Sequence, residues 1–97
     1  MYAVAIIRYR KTPEAVQAVR EEHLSYVQML KKAGIVVASG QLLPRDGGCI
    51  LFRVPDEGAE DAVLALRDED PYVKQGVAQW EIWPWTVGIG KEDLDRL

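Results

Sequence analysis

The stretch TPEAVQAVREEHLSYVQMLKKAG, residues 12–34, carries the start, body and stop signals of one long helix, and its neighbours are arranged around it. Thr12 has an N-capping side chain, and Pro13 occupies the first helical position, where a missing N–H is no loss. Glu14 suits the positive end of the helix dipole, and Lys31 and Lys32 suit the negative end. Gly34 can take the left-handed conformation that ends a helix. Val16, Val19, Val27 and Leu30 recur at helical spacing, flanked by Tyr26 and Ala33. His23, the one histidine of the chain, falls near the middle of that apolar stripe. An imidazole aimed at a core is a candidate functional group. The plainer reading is a core histidine bonded to a backbone carbonyl.

On the N-terminal side of the helix, Tyr2 to Arg10 reads as a strand. Its two faces are Tyr2, Val4, Ile6, Arg8 and Ala3, Ala5, Ile7, Tyr9. Both are largely apolar, so the strand is expected to be covered on each side. On the C-terminal side, Ile35 to Leu43 reads as a second strand that softens at Ser39-Gly40. A glycine there points to a bulge or to a close approach of something to the backbone. Pro44-Arg45-Asp46-Gly47-Gly48 reads as a hairpin turn, followed by a third strand over Cys49 to Val54. Ala59, Ala62, Val63 and Leu66 set a second helix over about Glu57 to Arg67. Asp70 precedes proline and is expected to leave the helix; Pro71 opens a short turn that Gly76 closes. Val77 to Thr86 is the last strand, and Pro84 places it at a sheet edge. The tail Val87 to Leu97 reads as loose or as a short helix.

The order β-α-β-β-α-β defines an α+β chain, a ferredoxin-like sandwich with one four-stranded antiparallel sheet. If both helices cover one face, the other face of the first strand and the tryptophans Trp80, Trp83 and Trp85 are left bare. A bare apolar face of that size predicts a homodimer packed sheet against sheet, with higher oligomers open. The 97 residues suit one domain over positions 1–97, whose modest core gains from such association. Net charge is −3 with interspersed signs and no basic patch, so nucleic acid is not an expected partner. The apolar runs are too short to span a membrane, and no signal-peptide pattern is seen. Cys49 is the single cysteine and has no spacing for a disulfide or zinc. A cytoplasmic protein without metal or organic cofactor is therefore expected.

The segments REEHLSYVQMLKKAG (Arg20 to Gly34), ASG (Ala38 to Gly40) and DPYVKQGV (Asp70 to Val77) together resemble the YciI-like, or YCII-related, family. The resemblance runs from Tyr2 to about Thr86, and Asp-Pro-Tyr before the last strand is its most specific part. It departs from the family pattern at Gln41, where a proline-like residue is expected after Gly40. The resemblance implies a dimeric α+β barrel. It also implies that His23 and Asp70 form the histidine–aspartate pair proposed as the family's active site. Related dimeric α+β barrels include isomerases, dehalogenating or dehydrochlorinating enzymes and monooxygenases.

A histidine oriented by a carboxylate gives and takes protons near neutral pH. Ser39 is a candidate hydrogen-bond donor to a substrate oxygen, and Gly40, Tyr72 and Arg8 are candidates for lining the same space. Asp70 is also placed to cap the turn after it, and it serves both tasks if one oxygen caps and the other faces His23. Two classes of function stand open. One is a small enzyme, of lyase, isomerase or hydrolase type, acting on a small molecule through His23 and Asp70. The other is a non-catalytic module that binds a small ligand or serves another protein.

Overall fold

A computed structural model describes residues 1–44 and 46–97. Its elements run β1 (Tyr2–Tyr9), α1 (Pro13–Lys32), β2 (Val36–Leu42), β3 (Gly47–Arg53), α2 (Ala59–Glu69), α3 (Pro71–Lys74), β4 (Ala78–Trp85) and α4 (Lys91–Asp95). The strands form one sheet in the order β2-β3-β1-β4, with every neighbouring pair antiparallel. This is the expected α+β, ferredoxin-like arrangement.

Local chemistry sets the helix limits. The Thr12 hydroxyl accepts from the Ala15 amide at 3.2 Å, and Gly34 turns left-handed with φ 81° just past the end of α1. Helix α2 begins at Ala59 rather than at Glu57, because Gly58 holds a left-handed φ of 73° that no helix interior contains. It continues to Glu69, and Asp70 leaves it in an extended conformation, as a residue before proline does.

Alternation along the strands divides the sheet into two faces. Ala3, Ala5 and Ile7 of β1, Ile50 and Phe52 of β3, and Ala78 and Trp80 of β4 are buried with Val16, Val19, Val27 and Leu30 of α1 and with Val63 of α2. Trp80 therefore belongs to the helix-covered core, not to the bare face assigned to all three tryptophans. Trp83 and Trp85 are odd-numbered, face the other way, and remain 58% and 44% exposed. With half-buried Val4, Ile6, Cys49 and Leu51 they make up the outer face.

The tail is not loose. The Tyr2 hydroxyl donates to Asp95 Oδ1 at 2.6 Å, and Arg53 donates to the carbonyls of Leu94 and Leu97, so α4 is strapped over one end of the outer face. Val87 is buried on the way there.

The turn between β2 and β3 also differs from its reading. The turn does not extend to Gly48 as read, since Leu42 already pairs with Gly47 and Gln41 with Gly48. Arg45, part of that reading, lies outside the described residues. Gly47 and Gly48 are strand residues instead. A Cβ on Gly47 would lie 2.0 Å from the Ile7 carbonyl oxygen, so β1 approaches β3 at a distance only glycine admits. The irregularity of β2 falls between Val36 and Ala38 rather than at Ser39-Gly40.

Gly47→Ala must part β1 from β3 at this point. We expect a loss of about 2–3 kcal/mol, read as a lower urea midpoint at unchanged slope in equilibrium unfolding.

Candidate functional site

Helix α1 presents His23 to the sheet because it lies on the same stripe as Val19, Val27 and Leu30. What meets it is the junction after α2. Proline at 71 forces Asp70 into an extended conformation, which turns its side chain back over the first turn of α3. Asp70 Oδ1 accepts from the Tyr72 amide at 3.1 Å, and the same oxygen lies 2.8 Å from His23 Nδ1. One oxygen thus caps and faces the imidazole at once, using both of its lone pairs. The other oxygen, Oδ2, is taken by the Trp80 indole N–H at 2.9 Å.

Asp70 has no solvent exposure. A carboxylate accepts only, so the proton between it and the ring sits on Nδ1, and in the neutral imidazole Nε2 carries the lone pair. The Tyr72 ring stacks on the imidazole with centroids 4.0 Å apart and planes 10° from parallel. Tyr9 meets Tyr72 edge-on at 5.8 Å. The Tyr26 hydroxyl donates to the Leu66 carbonyl at 2.6 Å, tying α1 to the last turns of α2 just before Asp70.

A cavity of about 320 Å³ opens against this pair. Its walls are Arg20, His23 and Leu24 of α1, Ile7 and Tyr9 of β1, and Tyr72 of α3. Ser39, Gly40 and Gln41 of β2 form the rim, and Gly48 and Ile50 of β3 form the floor. A Cβ on Gly48 would approach the Gly40 carbonyl oxygen to 2.9 Å, so the floor there is bare backbone. Among the described residues His23 Nε2 has no hydrogen-bond partner, and no sealed side-chain nitrogen or oxygen lacks one. Nε2 therefore opens to the cavity.

Of the residues singled out in the sequence, His23, Ser39, Gly40 and Tyr72 line this cavity, and Asp70 stands behind His23 without reaching it. Arg8 does not belong with them. It shares the outer face with Val4 and Ile6, pairs with Glu81 Oε1 at 3.0 Å, and is separated from the imidazole by the thickness of the sheet. Sequence reading missed Tyr9, Arg20, Gln41 and Trp80. Arg20 was discernible, since it lies one turn before His23 on the same side of α1. Tyr9 was discernible by strand alternation from Ile7.

Burial pushes the Tyr72 hydroxyl up to about 12, with the neighbouring Tyr9 adding to it and Arg20 pulling against it. Tyr26 is likewise pushed up to about 12 by burial, and the charges of Asp70 and Glu69 add to this. Both phenols therefore stay protonated at neutral pH and act as donors, not as bases. No cluster of three or more metal-ligating side chains is present among the described residues, and no helix there is long and apolar enough to cross a membrane.

Comparison with known proteins places the chain in a family. The model of the YCII-related domain matches residues 1–86, and the chain belongs to that family. Among solved structures it is similar to the 5-chloro-2-hydroxyhydroquinone dehydrochlorinase of Burkholderia phenoliruptrix AC1100, determined with 2,5-dihydroxybenzoquinone. The two share 18% identity and superpose with a TM-score of 0.69, covering 89% of this chain and 95% of that one. At that identity the likeness is one of fold. No curated protein matches.

The two raised phenols give the fold an alkaline limit. In the unfolded chain they ionise near the ordinary value of 10, in the folded chain near 12. Their contribution is complete below pH 10 and is lost as pH rises through 12. We expect tyrosinate absorbance from these two rings to appear together with loss of the circular-dichroism signal. Tyr26→Phe should make stability fall less steeply over that window.

Proposed function

We propose that the cavity is an active site and that its chemistry is general acid–base catalysis on a small molecule. The observation that carries this reading is the 2.8 Å contact of His23 Nδ1 with the buried Asp70 carboxylate, which leaves Nε2 open to the cavity. In this mechanism Nε2 removes a proton from a substrate carbon or oxygen. Asp70 keeps the ring in the tautomer that makes this possible and stabilises the imidazolium that forms. The imidazolium then returns the proton, either to a different atom in an isomerisation or to a departing group in an elimination. Ser39 and Tyr72 supply hydrogen bonds to a substrate oxygen as charge develops on it.

Covalent catalysis has less support. Cys49 is on the outer face, away from His23, and burial pushes its thiol up, which disfavours the reactive thiolate. The dehydrochlorinase of similar fold carries a name that describes an elimination, the kind of reaction a lone histidine base serves. Ligand volume points the same way, because about 320 Å³ holds one ring with its substituents and no polymer.

We further propose that two copies pair through the outer face. Exposed Trp83 and Trp85 with half-buried Val4, Ile6 and Leu51 form a contiguous apolar surface, of the kind that monomers rarely leave in water.

Proton removal is read directly as exchange of substrate C–H for deuterium in heavy water. With a panel of small cyclic ketones, lactones and chlorinated hydroquinones, we expect exchange or halide release in the native protein. His23→Ala should lower the rate by about 10²–10⁴-fold while the protein remains folded. Asp70→Asn should lower the rate and also weaken the fold, since Asp70 holds Trp80 and Tyr72 as well. An unchanged rate in His23→Ala would overturn the mechanism. The pairing is tested by sedimentation at micromolar protein, where the native chain should run as a dimer and Trp83→Glu as a monomer.

A further inference from the structure

The His23 cavity does not end at its rim. A second cavity of about 420 Å³ adjoins it, lined by Lys11, the first turns of α1 and Asp46. The two cavities share Tyr9, Arg20 and Gln41, so Arg20 stands at the passage between them. Its side chain leaves α1 one turn before His23, which puts the two groups about 5–6 Å apart at their Cβ atoms.

Arg20 is half-buried, and neither it nor Lys11 has a carboxylate within ion-pair distance among the described residues. Arg10, Lys31 and Lys32 also hold none among the described residues, but they are exposed, whereas Arg20 is drawn half into the fold at the cavity junction. Nothing in the proton chemistry of His23 uses a guanidinium. A planar donor fork at a cavity junction, without a protein acceptor, is matched to a planar anion that arrives with the ligand.

We propose that the second cavity is the recognition arm of the His23 site, in which Arg20 receives a carboxylate of the molecule whose reacting atom lies at the imidazole. The proposal rests on the acid–base reading above and narrows its substrate class to a small ring bearing one carboxylate arm. Pro13 and Val16 give the arm an apolar wall for its carbon chain, and Lys11 adds a second, weaker cation. Asp46 sets the charge limit. It also lines this cavity, and its negative charge opposes a dianion such as a phosphate ester while leaving room for a monoanion. The field of Arg20 also reaches the first cavity, where it acts on the Tyr72 hydroxyl against the effect of burial.

The test is equilibrium binding to the full chain, by titration calorimetry, of benzoate and phenylacetate against benzamide and phenylacetamide. We expect at least one acid to bind about tenfold or more tightly than its amide, equivalent to about 1.4 kcal/mol. Arg20→Gln should remove that preference, Arg20→Lys should keep part of it, and Lys11→Gln should reduce it only about two- to threefold, with circular dichroism confirming that each variant is folded. The proposal is overturned if acid and amide bind alike or if neither acid binds at millimolar concentration. It is equally overturned if the preference survives Arg20→Gln, or if phenyl phosphate outbinds both acids about tenfold. Failure of the acid–base reading looks different: exchange persists in His23→Ala while the Arg20-dependent preference for acids is intact.

Discussion

A carboxylate removed from water is costly unless its lone pairs are filled, and Asp70 has no exposure at all. Three N–H groups occupy three of its four lone-pair positions: the His23 ring and the Tyr72 amide on Oδ1, and the Trp80 indole on Oδ2. The three donors come from α1, α3 and β4, so one side chain joins the long helix, the turn before the last strand and the edge of the sheet. Take that carboxylate away and three buried donors lose their acceptor together, each with its own desolvation cost. This constraint fixes the imidazole in position and tautomer, and Tyr72 stacked at 4.0 Å limits its swing. A rigid mount of this kind serves acid–base chemistry, where a small misplacement of the base costs much of the rate.

Division of labour between the two sheet faces follows from the pleat. The face holding Ala3, Ala5 and Ile7 is roofed by helices over most of its length and left open only at the glycine-floored end, where the cavity lies. Small side chains and bare backbone do there what a larger residue would undo. The opposite face, apart from the end strapped by α4, leaves Trp83 and Trp85 exposed beside half-buried Val4, Ile6 and Leu51.

Much of this was legible in the order of residues. Capping and periodicity placed α1 closely, because Thr12, Pro13 and Gly34 act through local geometry. The helical stripe placed His23 on the inner side, and the proline after Asp70 fixed the backbone that turns the carboxylate inward. Family membership followed from segments around those same residues. Arg8 was misplaced for a physical reason. Both faces of β1 are apolar, so alternation says that Arg8 opposes Ile7 but not which of them meets the helices. Trp80 was misread because three tryptophans within six residues look like one cluster, whereas strand alternation sends Trp80 to one face and Trp83 and Trp85 to the other. Its bond to Asp70 joins residues ten apart through a tertiary turn, which no local pattern records. Gly47 and Gly48 imitate a turn in sequence because the same lack of a side chain also serves strands that nearly touch.

The separation of these partners along the chain has a consequence for how the site comes into being. His23 and Asp70 stand 47 positions apart, and the indole that completes the carboxylate's shell comes ten positions later still, on the edge strand beside β1. A chain folding as it is synthesised holds its histidine early and acquires the third donor only when β4 docks. Without that strand Oδ2 lacks its donor. The carboxylate's donor set is therefore complete only when the sheet is, because the indole that serves Oδ2 is carried by the last strand.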